Sequence, residues 1–88
     1  METPISQSWH WQAVDNSRNV ARDYHLWMQT DLFGWTTVER RWGRIGSRGQ
    51  SLTLSFEDKG QAEAVARLIQ ERRATACKRI GVRYHQVR

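Results

Sequence analysis

Alternation of apolar and polar residues organises the first two thirds of the chain, and a 3.6-residue repeat takes over afterwards. Trp9, Trp11 and Ala13 alternate with His10, Gln12 and Val14, a period of two that predicts a first strand. Asp15-Asn16-Ser17-Arg18-Asn19 has turn chemistry, because Asn and Asp side chains bond nearby backbone amides. Tyr24, Leu26 and Met28 then alternate with His25, Trp27 and Gln29, predicting a second strand over residues 22–30. Asp31-Leu32-Phe33-Gly34 supplies a short hairpin connection. The next strand, Trp35 to Trp42, sets Thr36, Val38, Arg40 and Trp42 on one face and Trp35, Thr37, Glu39 and Arg41 on the other. Leu52, Leu54 and Phe56 alternate with Ser51, Thr53 and Ser55, the clearest half-buried strand of the set.

After Phe56 the period changes. Asp58 is placed to cap a helix whose apolar face is Ala62, Val65, Ala66 and Ile69, widened by Leu68 and Ala76. Arg67, Gln70, Glu71 and Arg73 fall largely on the opposite side. The helix is predicted over residues 59–76 or a little beyond, with Gly81 its furthest stop, and the segment 82–87 is expected to return as a short strand. Arg72 and Arg73 suit the negative pole of this helix, a sufficient structural reason for them. The expected class is α+β: a small antiparallel β-sheet of about four strands with one long α-helix packed on one face. The expected domain is single, spanning residues 9–88 after a tail at residues 1–8.

Composition narrows what such a domain does. Eighty-eight residues make one small core and leave no second lobe. The net charge is +5, with 14 basic residues against 9 acidic ones. Arginine dominates the basic set, and its planar fork suits phosphate and flat rings, although a solvated surface accounts for the charge equally well. Positive charge concentrates in residues 40–48 and 72–88, which contain no acid. Cys77 is the only cysteine, so no internal disulfide forms, and a reducing, cytoplasmic setting is expected. No apolar run reaches the ~20 residues of a membrane span, and Met1-Glu2-Thr3-Pro4 lacks a signal-peptide layout, so no membrane association is expected.

The segment Trp42-Gly43-Arg44-Ile45-Gly46-Ser47-Arg48-Gly49-Gln50 joins two predicted strands. Its glycines allow close backbone approach, its arginines supply charge, and Trp42 offers a flat face for a sugar or base. Because the glycines link strands and open no helix, this is no phosphate-cradling loop of nucleotide enzymes. A core or rim role is the default for the other tryptophans, and a sheet-end plug is the alternative for Trp42 itself. Catalytic chemistry is not assembled. Cys77 and His85 are the nearest nucleophile–base pair, and His10 and His25, though able to face each other across strands, lack a Cys or carboxylate at ligand spacing. No enzyme activity, metal or cofactor is expected.

Trp42-Gly43-Arg44-Ile45-Gly46 with Gly49-Gln50 resembles the signature of the WGR domain. The similarity extends to Arg22-Asp23-Tyr24-His25-Leu26, to Asp31-Leu32-Phe33-Gly34-Trp35 and to the alanine-bearing helix before Gly81, covering residues 9–82. WGR domains accompany the catalytic region of DNA-dependent poly(ADP-ribose) polymerases and also occur in bacterial proteins, sometimes alone. The resemblance implies DNA binding at breaks, with Trp42 packing on the sugar-phosphate of a strand end. Arg44 would contact DNA or a neighbouring domain. Charge and position add Arg41, Arg48, Lys78 and Arg79 as phosphate contacts; Gly43 belongs to the motif, and Asn19 occupies the expected polar loop. Two departures stand out. The chain has no room for a transferase domain, and the Gly-Tyr common near the family's C-terminus is Gly81-Val82 here, with Tyr84 two positions on. The expectation is a non-enzymatic module for DNA ends or nicks, with DNA preferred to RNA. The alternative is an adaptor whose Trp-Gly-Arg surface binds a partner enzyme.

Overall fold

The computed structural model describes residues 6–87. Five strands form one antiparallel sheet: β1 (Ser6–Asp15), β2 (Val20–Thr30), β3 (Thr36–Arg44), β4 (Gln50–Phe56) and β5 (His85–Gln86), in spatial order β4-β3-β2-β1-β5. Two helices intervene before β5, α1 (Lys59–Ala74) and α2 (Ala76–Ile80). The class is thus α+β, as the periodicity predicts, with the C-terminal segment supplying a fifth strand. Residues 6–8 of the expected tail are part of β1, and residues 1–5 lie outside the described residues. None of the described helices is long and apolar enough to cross a membrane.

Turn chemistry sets the register. Asp15 caps a single 3₁₀ turn (Asn16–Arg18), accepting from the Ser17 amide at 3.1 Å and the Ser17 hydroxyl at 2.7 Å. The hydroxyl bond is the main reason its carboxyl sits below the ordinary carboxylate range. Asn19 follows in the left-handed region (φ 56°), which Asn tolerates better than most residues. At the next hairpin the Asp31 carboxylate accepts from the amides of Phe33 (2.9 Å) and Trp35 (3.0 Å). These two turns hold His10 opposite His25 and Trp42 opposite Tyr24.

The core lies between one sheet face and α1. Trp11, Tyr24, Leu26, Met28 and Val38 meet Ala62, Ala66 and Ile69. Two alanines on the buried helix face let the helix lie close to the larger side chains of the sheet. Asp58 caps α1 through the Gly60 amide at 2.8 Å. The predicted single helix is divided at Thr75, whose hydroxyl and amide both donate to the Glu71 carbonyl at 3.1 Å. Such back-bonding by threonine competes with the regular ladder. Gly81, in the left-handed conformation (φ 76°), ends α2.

Two expectations fail at the β4 side. Leu52 and Leu54 remain 40% and 41% exposed, and Leu68 is 56% exposed. Alternation correctly assigns the leucines of β4 to the helix-facing side; α1 does contact β4 as well as β3 and β2, but it does not cover these side chains. The three side chains border a groove of about 130 Å³ with Val65 and Ile69. Leu68→Gln is therefore expected to change unfolding free energy by no more than about 0.5 kcal/mol. Urea denaturation checks this; a loss above about 1 kcal/mol would mean that the side chain is buried in solution.

Candidate nucleic-acid interface

The motif tripeptide is strand, not loop. β3 keeps pairing with β2 as far as Arg22↔Arg44, whereas its pairing with β4 stops at Trp42↔Gln50. The turn proper begins at Ile45, whose amide donates to the Ala21 carbonyl at 2.9 Å. The Ser47 amide (2.9 Å) and hydroxyl (2.6 Å) then close it on the Arg44 carbonyl. Its glycines have a packing role: a Cβ on Gly43 would lie 2.7 Å from the Gly49 Cα, and one on Gly49 would strike the Trp42 carbonyl oxygen. Backbones this close admit no side chain at either position.

Trp42 points to the helix side of the sheet, just past the end of α1. Its ring stacks on Tyr24 (centroids 6.3 Å apart, planes at 22°), and the Arg40 guanidinium lies 5.2 Å from its centroid. The indole is partly buried and packs against the core, so the rim-plug role and an exposed working edge coexist. Beside it opens a cleft of about 400 Å³, bordered by Asn19, Tyr24, Trp42, Arg44, Arg73 and Tyr84. Arg44 is held across its mouth by Asn19, donating to the Asn19 carbonyl (3.3 Å) and side-chain oxygen (3.0 Å).

Contrary to expectation, Arg73 does not lie on the side opposite the apolar face: it follows Ala66 by seven and Ile69 by four and so continues the buried stripe of α1. Instead of facing solvent, its guanidinium lies 4.0 Å from the Tyr24 ring centroid and 5.1 Å from that of Tyr84. Its Nε is buried without a hydrogen-bond partner, and burial draws the group below its ordinary basicity. The Nε itself is enclosed, but the Arg73 side chain lines the open cleft and brings its positive charge to that wall. The signal available beforehand was this spacing, masked because the helix dipole already gave Arg72-Arg73 a sufficient reason. Tyr84 reaches the cleft because β5 pairs back on β1 (Gln12↔His85), a long-range consequence that no local motif announces.

Of the sequence-predicted residues, Asn19, Trp42, Gly43 and Arg44 converge on this cleft. Arg48 does not border it, nor does Arg41, which faces the other side of the sheet with its guanidinium 5.9 Å from the Trp27 ring. Lys78 and Arg79 sit on α2, outside the cleft lining. Arg79 is engaged by its own helix, donating to the Thr75 hydroxyl at 2.9 Å and to the Arg72 carbonyl.

The outer sheet face corrects another expectation. His10 and His25 do have a carboxylate beside them: Asp23, two positions before His25 on the same face and diagonal to His10 across the β1–β2 pair. Spacing along one strand hid a residue that cross-strand geometry supplies. Burial works to raise the Asp23 carboxyl, but the bond from His10 and both imidazoles outweigh it and hold it below the ordinary range. Burial lowers His25, reinforced by His10 and opposed by Asp23.

Comparison with known proteins agrees with the motif. The WGR domain family model matches residues 8–79. An uncharacterized protein of Sinorhizobium fredii (strain NBRC 101917 / NGR234), y4dW, is 42% identical over 57 residues, which is 65% of this chain but 26% of that protein. The chain thus spans about a quarter of the relative's length. WGR domains are binding modules of the nucleic-acid-binding type found in poly(ADP-ribose) polymerase-like proteins. With the signature tripeptide in register on β3 and the match running from β1 through α2, the chain belongs to the WGR domain family.

Proposed function

We propose that the chain is a non-enzymatic DNA-binding module that seats a strand end or nick at the Trp42 cleft. The observation that carries this reading is the pairing of aromatic walls with two guanidiniums in one cleft, Arg44 anchored by Asn19 and Arg73 between the rings of Tyr24 and Tyr84. Phosphate oxygens would meet these positive charges, while the outer edge of Trp42 packs against the terminal sugar or base. Arg48 and the basic end of α2 add long-range attraction without contacting the terminus. Affinity on this reading is mostly electrostatic and indifferent to base sequence. The exposed free thiol of Cys77 fits a reducing, cytoplasmic setting.

Titration against nicked, blunt-ended and closed circular duplex, single strands and RNA tests it. About three phosphate contacts give a log–log salt slope near −3, so binding should weaken roughly fortyfold between about 50 and 200 mM salt. Trp42→Ala should abolish the preference for ends while leaving weak binding to closed circles. Flat salt dependence would overturn the DNA reading in favour of a protein-partner surface. Equal loss on ends and circles would leave backbone binding without end recognition.

A further inference from the structure

The cleft leaves unused the cluster on the opposite sheet face. His10 Nε2 bonds to Asp23 Oδ1, and His25 Nε2 lies 3.4 Å from Asp23 Oδ2. One ligand atom from each of the three residues falls within 4.8 Å of the others. The two imidazoles stack with centroids 3.8 Å apart and planes at 11°, so their Nε2 edges lie side by side. All three come from one strand pair of fixed register, β1 and β2, and all are half-buried on a face that α1 does not cover.

The geometry points to a divalent transition-metal site at His10, Asp23 and His25, with zinc as its preferred probe. Two imidazole nitrogens and one carboxylate oxygen form a donor set that zinc accepts with a position left open. Donors around a tetrahedral zinc sit roughly 3.4 Å apart, given metal–ligand bonds of about 2.1 Å. The present spread is close enough that tilting the two rings and shifting the carboxylate completes it. Without metal, His10 Nε2–H donates to Asp23. On binding, that proton leaves Nε2, either to solvent from an imidazolium or to Nδ1 by tautomerisation of a neutral ring. Each neutral imidazole, protonated on Nδ1, then presents its Nε2 lone pair to the ion. Asp23 exchanges a hydrogen bond for a metal bond, and the remaining position takes water. Gln12 Nε2, 3.5 Å from Asp23 Oδ1, is placed to steady the carboxylate. Arg41, opposite His25 in register, opposes a cation and limits affinity, but its guanidinium is drawn over Trp27. The Trp27 ring stacks on His25 (5.2 Å, 4°), which makes it an optical reporter of events at that imidazole.

Isothermal titration of the folded chain with Zn²⁺, made metal-free beforehand, tests the site without reference to nucleic acid. One saturable ion per chain is expected, with a change in tryptophan fluorescence. Co²⁺ should develop the intense visible absorption of a low-coordinate site. His10→Gln, His25→Gln and Asp23→Asn should each weaken zinc binding at least tenfold with the circular dichroism spectrum retained. Cys77→Ser and His85→Ala, which remove the other soft donors, should leave it unchanged. Amide and imidazole NMR shifts in the unmodified chain give a readout independent of the variants, and they should centre on β1 and β2. The proposal is overturned by any of three results: no saturable binding at millimolar zinc, binding that survives the three triad variants, or binding that disappears with Cys77→Ser or His85→Ala.

Discussion

Gly49→Ala is expected to lower the unfolding free energy by about 3 kcal/mol, enough to shift melting of a domain this size by roughly 15 °C. Two costs combine. The residue sits at φ +70°, where an L side chain loses about 1 kcal/mol or more. The added methyl would also strike the Trp42 carbonyl oxygen and lie 3.1 Å from its carbonyl carbon, and backbone shifts of this sort cost about 1–3 kcal/mol. Gly46→Ala separates the two effects. Gly46 has φ +86° but open space where its Cβ would be, so only the backbone cost of about 1 kcal/mol applies. Thermal and urea unfolding of the two variants measure the difference. Similar losses would show that the contact between Gly49 and Trp42 relaxes freely and does not fix the turn.

The second large effect concerns binding. On the DNA-end reading, Arg73→Met should weaken association with a nicked or blunt duplex about tenfold, the worth of one charge-assisted contact. Methionine keeps an unbranched stem between Tyr24 and Tyr84 but removes the guanidinium. Stability should hold or rise slightly, because a partly desolvated charge without a full set of partners is removed. Arg48→Met, at an exposed turn position, should cost only about twofold. Fluorescence anisotropy and thermal unfolding on the same preparations decide the matter. If affinity and melting temperature fall together, Arg73 supports the rings and does not meet the ligand.

What was legible beforehand follows from the range of the interactions. Strand faces, the two polar turns and the Asp58 cap depend on neighbours within a few residues, so alternation and capping chemistry identify them. The left-handed Asn19 is likewise local, but its bond to Arg44 across 25 positions is not. Leu52 and Leu54 have the right face, yet their exposure depends on where α1 lies across the sheet, and the 3.6-residue repeat carries no information on that. Arg73, four residues after Ile69 and seven after Ala66, continues the buried helical stripe, but its charge invites a solvent placement that the spacing contradicts. Tyr84 required the return of β5, and Asp23 required cross-strand register before it counted as a neighbour of both histidines. Local code thus recovers the scaffold and the motif, while the pieces that complete each site come from chain segments far apart.

β2 alternates between the two sides of the sheet, and Asp23 and Tyr24 are consecutive. One belongs to the histidine cluster, the other to the wall behind Trp42. Point substitutions can therefore remodel either side alone: odd positions 23 and 25 alter the outer cluster, even positions such as 24 alter the cleft. An insertion or deletion of a single residue in this strand would exchange the two sets and erase both at once. The two chemistries are free to diverge by replacement, but they share one reading frame of the strand, and its length is the property that descendants of this chain are least able to change.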